Sequence, residues 1–412
     1  MQQLNSKSQK RFFQMAQLER YRQEVSTAPR LQSGSWCPAN HRIINNWLDG
    51  LQHTPNRHSM VAVFDFDNTC TYRDVGNAVF RFQLADLQFR LSPKKFSKLF
   101  PKNKKTIGGI SFEQVRTRIL SLYKKLWPFI KNHQQKKVLS KPEHTEFQNL
   151  LFWYYKEARN DKQLGPLYTL PLMSRLLAGY TTDEVENLTC QALLSAQQEP
   201  IAVETRSMVA HSLSPDTIIQ VKFATGLKAH TEIIDLMDQL QRCAIRSCIV
   251  SASTEWVVRA AVKHLGFPVD QEDIFGIRVQ LNGDTLSTKL ATNYPITYRT
   301  GKVEVIDKEI GATPVMVAGD AVTDYEMLNI PHVPIRLIIN HNKSGLISSL
   351  YDDSRFLLQG LDKTSGTFRP HRETCEAFHD QSNGYKATAT EHYNIPGLHP
   401  GTAIPYQASA KP

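Results

Sequence analysis

An apolar run, Met60-Val61-Ala62-Val63-Phe64, stops at Asp65-Phe66-Asp67-Asn68-Thr69-Cys70, and few architectures accommodate that transition. A short apolar run bounded by turn residues predicts a buried strand. Its carboxyl end then carries two carboxylates, at i and i+2. In an open α/β sheet, ligands bind at that end. One carboxylate placed to attack and a second placed to move protons is what phosphoryl transfer through an aspartyl intermediate requires.

The rest of the chain supplies such a sheet. Leu227 to Leu240 reads as an amphipathic helix, Ala244 to Val250 as a buried strand and Thr254 to Leu265 as a helix. Ile274 to Leu281 and Leu286 to Leu290 flank Asn282-Gly283-Asp284, a hairpin signal. Lys302 to Ile310 is expected to be helical, Pro314 to Ala318 a strand, Thr323 to Leu328 a short helix and Ile335 to Ile339 a strand. Strands alternating with helices imply a parallel sheet covered on both faces. The fold class is therefore α/β, a Rossmann-like parallel-sheet core.

Between the acidic motif and that core lies a long segment with few strand signals. Phe80, Leu84, Leu87 and Leu91 recur at helical spacing, as do Val115, Ile119, Leu122 and Leu126. Thr181-Thr182-Asp183-Glu184 is a capping-box pattern announcing another helix. The expected division is 1–75, with N-terminal helices (Gln9 to Val25, Asn40 to Leu51) and the first core strand. A large all-helical cap follows at 76–217, the remaining core at 218–350, and a surface-wrapping segment and tail at 351–412.

Three later features fall where a parallel sheet would deliver them beside Asp65. Ser251 follows the apolar strand, Lys302 opens a helix after Gly301, and Asp320 ends a strand with Asp324 four residues on. Phosphate esters resist attack because they are already anionic, so catalysis is mostly charge neutralisation and positioning. Carboxylates 65, 320 and 324 plus a main-chain carbonyl suit a hard cation such as Mg²⁺. Lys302 would offset repulsion between Asp65 and phosphate, and Ser251 would hold phosphoryl oxygens.

The set Asp65-x-Asp67-x-Thr69, Ser251, Lys302 and Gly319-Asp320-x-x-x-Asp324 resembles, in order, the four motifs of the haloacid dehalogenase-like phosphatase superfamily. The resemblance implies a phosphomonoester hydrolase with Asp65 as nucleophile and Asp67 as general acid and then base. Lys302 would join them in catalysis, with Thr69, Ser251 and Lys302 at the phosphate. Mg²⁺ would be held by Asp65, the Asp67 carbonyl, Asp320 and Asp324. An insertion directly after the first motif is similar to the cap of the phosphoserine phosphatase-like branch. Asp65-Phe66-Asp67-Asn68-Thr69, the Gly319–Leu328 stretch and Phe356-Leu357-Leu358-Gln359-Gly360 look most like bacterial phosphorylcholine phosphatase-type proteins. Asp74 stands nine residues after Asp65, where that branch places an acidic contact to the substrate ammonium. The implied substrate is a small amino- or ammonium-alcohol phosphate: phosphocholine, phosphoethanolamine or phosphoserine.

Charge adds one feature. Of the net +10, residues 90–141 contribute +14, with Glu113 their only acid, which leaves −4 for the rest. Such a block reads as a solvated helical face or as an attractor for an anionic macromolecule or membrane surface. The alternatives to a metabolite phosphatase are thus a protein or lipid phosphatase docking through this segment, or a binding protein with a vestigial core. Nucleic acid is possible on charge alone, but no recognition motif supports it. Phe152-Trp153-Tyr154-Tyr155 reads as packing of the cap core, with an aromatic cage for a quaternary ammonium as the sharper reading. No apolar run approaches the ~18 residues a membrane helix needs. The polar stretch Gln2 to Arg22 lacks a secretory pattern, and the six cysteines lack metal-type spacing. A cytoplasmic setting with reduced thiols is expected, and export without a cleaved signal stays open.

Overall fold

A computed structural model describes residues 29–375, apart from 33, 52–53, 55–56, 211–212 and 214–216. The helix expected over Gln9 to Val25 and the chain beyond 375 lie outside the described residues. Six parallel strands form the central sheet: β1 (Val61–Phe64), β2 (Arg246–Thr254), β3 (Ile274–Ile277), β4 (Met316–Gly319), β5 (Ile335–Ile339) and β6 (Leu357–Gln359), in the order β6-β5-β4-β1-β2-β3. The order reverses between β1 and β4, and a doubly wound sheet opens its ligand crevice at that point.

Register puts the chemistry there. Phe64 pairs with Ala318 on one side and Ile249 on the other. One step on, Asp65 donates its N–H to the Ala318 carbonyl at 2.9 Å. Two residues past those partners, the neighbouring strands bring up Asp320 and Ser251. Strand alternation divides the apolar side chains between two cores. Ala62, Phe64 and Phe66 face one with helices Pro38–Leu51 (α1), Thr231–Arg242 (α2) and Glu255–Leu265 (α3), and Val61 and Val63 face the other.

The insertion has a third core of its own, built from helices Phe112–Lys131, Pro142–Arg159 and Gly165–Leu176. Phe152, Trp153, Tyr154 and Tyr155 are all buried in it. Thr181 caps helix Thr182–Gln198 with the reciprocal bonds of a capping box. The expectation of an all-helical insertion needs correction. Strands Ala202–Val209 and Ile218–Thr225 pair antiparallel over eight residues each, and a smaller hairpin joins Thr106–Ile107 to Ile110–Ser111. Ile219, Val221 and Phe223 bury alternately against the insertion, so 218–225 packs there rather than in the sheet.

Two further expectations change. The strand expected over 274–281 divides, with β3 joining the sheet and Val279–Asn282 turning back on Thr285–Leu290. The segment after 351, expected to wrap the surface, supplies the edge strand β6, whose three residues are buried. No helix among the described residues is long and apolar enough to cross a membrane.

Candidate active site

Residues 65–70 turn sharply after β1, with Thr69 and Cys70 amides returning to the Phe66 carbonyl at 3.2 and 2.8 Å. Asn68 takes the left-handed conformation the turn demands, φ 64°. Phe66 points into the core, its ring 5.4 Å from that of Phe267. Asp65 and Asp67 therefore face the opposite way, into the crevice. His341, after β5, supports this turn, its Nε2 lying 2.8 Å from the Asn68 carbonyl oxygen.

Carboxylate oxygens of Asp65, Asp320 and Asp324 lie within 4.8 Å of one another, all buried. Lys302 is buried between two of them, its Nζ donating to Asp65 Oδ1 at 2.5 Å and lying 2.7 Å from Asp324 Oδ1. Asp324 Oδ2 accepts the Asp320 and Ala321 amides, both at 3.0 Å. That clasp requires Gly319, because a Cβ there would stand 2.6 Å from the Asp324 Cβ. Hard oxygen donors at this spacing fit a small divalent cation.

Asp67 is held differently. Its Oδ1 accepts the Val75 amide at 2.6 Å, and its Oδ2 accepts hydroxyls from Ser253 at 2.5 Å and Ser251 at 3.4 Å. Thr69 Oγ1 donates to Asp65 Oδ2 at 3.3 Å. Both hydroxyls expected at phosphate, Thr69 and Ser251, are thus fully buried beneath the site and bonded to its carboxylates. The chamber of about 60 Å³ above them is lined by Asp65, Asp67, Ser253, Asp320, Lys343 and Arg159, among others. Ser253, Lys343 and Arg159 had no sequence signal, since each reaches the site only through tertiary packing. Lys343 pairs with Asp320. Asp74 lines the chamber too, but its Oδ1 caps helix Val75–Ala85 by accepting the Asn77 amide at 2.7 Å.

Burial, then repulsion from Asp324, pushes the Asp65 carboxyl up to about 8. Burial raises Asp320 to about 6 despite Lys343. Burial and the neighbouring Asp74 hold Asp67 well above the ordinary carboxylate range. Burial pulls Lys302 down, yet Asp324 and Asp65 outweigh it and keep the ammonium charged. For Asp65, the folded value lies above the ordinary 3.8. Between these values the folded protein retains a proton that the unfolded chain has lost, so stability falls as pH rises through the window. A cation competes with that proton. Mg²⁺ affinity by calorimetry is therefore expected to climb between about pH 6 and about pH 8, and added Mg²⁺ to restore melting temperature most at the alkaline end. A pH-independent affinity would contradict this electrostatic picture.

The family model for haloacid dehalogenase-like hydrolases matches residues 145–329, taking in Ser251, Lys302, Asp320 and Asp324. The described geometry joins Asp65 and Asp67 to that set. Over this stretch the chain matches the haloacid dehalogenase-like hydrolase family. A conserved, functionally unknown protein from Anaerococcus prevotii DSM 20548 shares the fold of this chain at TM-score 0.73 and 25% identity, over 85% of this chain and 99% of that one. A phosphoserine phosphohydrolase-like protein from Francisella tularensis subsp. tularensis SCHU S4 aligns at TM-score 0.30 and 12% identity, covering 68% of this chain and 87% of the other. Cytosolic 5'-nucleotidase IIIB bound to cytidine aligns at 0.29 and 14%, covering 78% and 83%. Among curated proteins none matches the chain.

Proposed function

We propose that this hydrolase cleaves small phosphomonoesters with Mg²⁺ through an aspartyl-phosphate on Asp65. One observation carries the reading: a carboxylate at the switch point of the sheet shares its chamber with a second, independently held carboxylate and is held from beneath by a buried lysine. Asp65 attacks phosphorus. Asp67, whose hold on a proton is strengthened by burial, donates to the departing alkoxide and afterwards takes a proton from the water that cleaves the acyl-phosphate. Thr69 and Ser251 serve phosphate through the carboxylates they orient, while Ser253 and Lys343 meet phosphoryl oxygens at the chamber wall. Lys302 neutralises charge from beneath. Asp65, Asp320, Asp324 and the Asp67 carbonyl would hold Mg²⁺, which supplies further neutralisation of the transferring group.

A screen of phosphorylated metabolites with and without Mg²⁺ tests this reading. Persistent inactivity, including on an aryl phosphate, would leave a binding protein with a vestigial core. Asp67→Asn is expected to lower kcat by about 10²–10⁴ on alkyl phosphates and by less on an aryl phosphate, whose leaving group needs no proton. Equal losses on the two would remove the proton-shuttle role.

Docking of an anionic macromolecule or membrane remains a second reading. Lys94, Lys95, Lys98, Lys102 and Lys104 are exposed and form no ion pair among the described residues, whereas Lys105 binds Asp161 at 2.8 Å. Reversing Lys94, Lys95 and Lys104 to Glu is expected to weaken binding to anionic vesicles while sparing aryl phosphate turnover. Unchanged vesicle binding would dismiss the patch as a solvated face.

A further inference from the structure

The resemblance points to an ammonium at Asp74, but the side of Asp74 that faces away from the acidic chamber is lined by cations. A second cavity of about 150 Å³ adjoins the chamber, sharing Asn68 and Asp74 with it and lined also by Arg73, Asn77, Phe152 and Lys156. Lys156 and Arg159 stand three residues apart on helix Pro142–Arg159 and so look over the same face. Lys156 Nζ lies 5.3 Å from the centre of the Phe152 ring, and Arg159 Nη1 donates to Tyr155 Oη at 3.3 Å. Arg73 gives Nη2 to the Ala202 carbonyl at 3.2 Å, while its buried Nε finds no acceptor. Among the described residues none of these three cations is in an ion pair. Arg81, on the same cavity, is already neutralised by two bonds to Glu199 at 2.6 and 2.5 Å.

Two cations outside any ion pair, Arg73 and Lys156, thus line this cavity beside one carboxylate, Asp74, with one oxygen committed to a helix cap, while Arg159 stands on the chamber side. An ammonium entering here would meet net like charge. An anion would meet half-desolvated cationic donors that have no acidic partner among the described residues, where charge-assisted bonds are strongest. We infer that the substrate's leaving group carries a second anionic group, a carboxylate or a phosphate, received in this cavity by Lys156 and Arg73 with Arg159 at the passage from the chamber. This specificity rests on the phosphatase reading above.

The test compares kcat/KM for phosphoglycerate, glycerol phosphate and phosphoethanolamine, three small esters whose leaving groups are anionic, neutral and cationic. A hexose bisphosphate against its monophosphate separates a second phosphate from a carboxylate. The anionic ester is expected to lead the neutral one by roughly tenfold or more, with the cationic one last. Lys156→Gln and Arg73→Gln are each expected to shrink the anionic-to-neutral ratio severalfold, and Lys156→Arg to keep it. The ratio is decisive because a merely structural defect lowers both rates together. A wild-type ratio at or below one, or a ratio that neither variant moves, would overturn the inference while aryl phosphate turnover still upholds the phosphatase. Absence of all phosphatase turnover would remove both.

Discussion

Asp65→Asn is expected to abolish phosphatase turnover, by about 10⁴-fold or more, in a protein that melts no lower than the wild type. An amide cannot form the acyl-phosphate, so the chemical step loses its nucleophile. Stability moves the other way. Asp65 is buried beside Asp320 and Asp324, and its carboxyl is pushed up to about 8 by burial and by Asp324. A neutral amide at this position ends the repulsion that holds a proton on Asp65, and its oxygen can still accept from Thr69 and Lys302. Calorimetric melting without metal, together with a phosphate-release assay, checks both halves. Residual turnover near the wild-type rate would take the nucleophile away from Asp65.

Lys302→Met should instead damage folding as well as chemistry. Lys302 is completely buried and lies within 2.7 Å of oxygens on both Asp65 and Asp324. Removing one partner of a buried ionic cluster leaves the others uncompensated, at a cost of about 3–5 kcal/mol. Adding Asp324→Asn to this variant is expected to recover part of that loss by removing one stranded charge, without restoring turnover. Denaturant melts of the single and double variants give the coupling directly. A single variant as stable as the wild type would mean that the acids are protonated in the folded protein and Lys302 holds nothing together.

Much of this arrangement was legible in the sequence because it depends on short-range patterns. The apolar run before Asp65, the Gly319-Asp320 step and the Gly301-Lys302 helix start are each strand or helix boundaries, where composition changes over a few residues. Parallel pairing then brings those boundaries to one edge of the sheet. The hairpin 202–225 was harder to see. Ile219, Val221 and Phe223 do alternate, but the partner strand Ala202–Val209 is rich in Glu, Thr, Arg and Ser and exposed along most of its length, so it carries no apolar period. Strand β6 spans only three residues, too few to establish alternation.

Side chains that act across the crevice left no local trace. Ser253 caps Asp67 from the end of β2, Lys343 reaches Asp320 from the loop after β5, and Arg159 descends from the insertion. Their neighbours in sequence are unremarkable because their partners are far along the chain. The cation count around Asp74 likewise exists only in three dimensions. Asp74 resembles a headgroup contact in the sequence, yet in the fold it caps a helix beside Arg73, Lys156 and Arg159.

Asp65 itself is expected to receive the phosphoryl group. Rapid acid quenching of the Mg²⁺-loaded enzyme during turnover, followed by peptide mass spectrometry, reads this directly. A phosphoryl adduct is expected on the peptide carrying Asp65, absent from Asp65→Asn and accumulating in Asp67→Asn with an aryl phosphate. Turnover without any such adduct, or an adduct on another residue, would contradict the account.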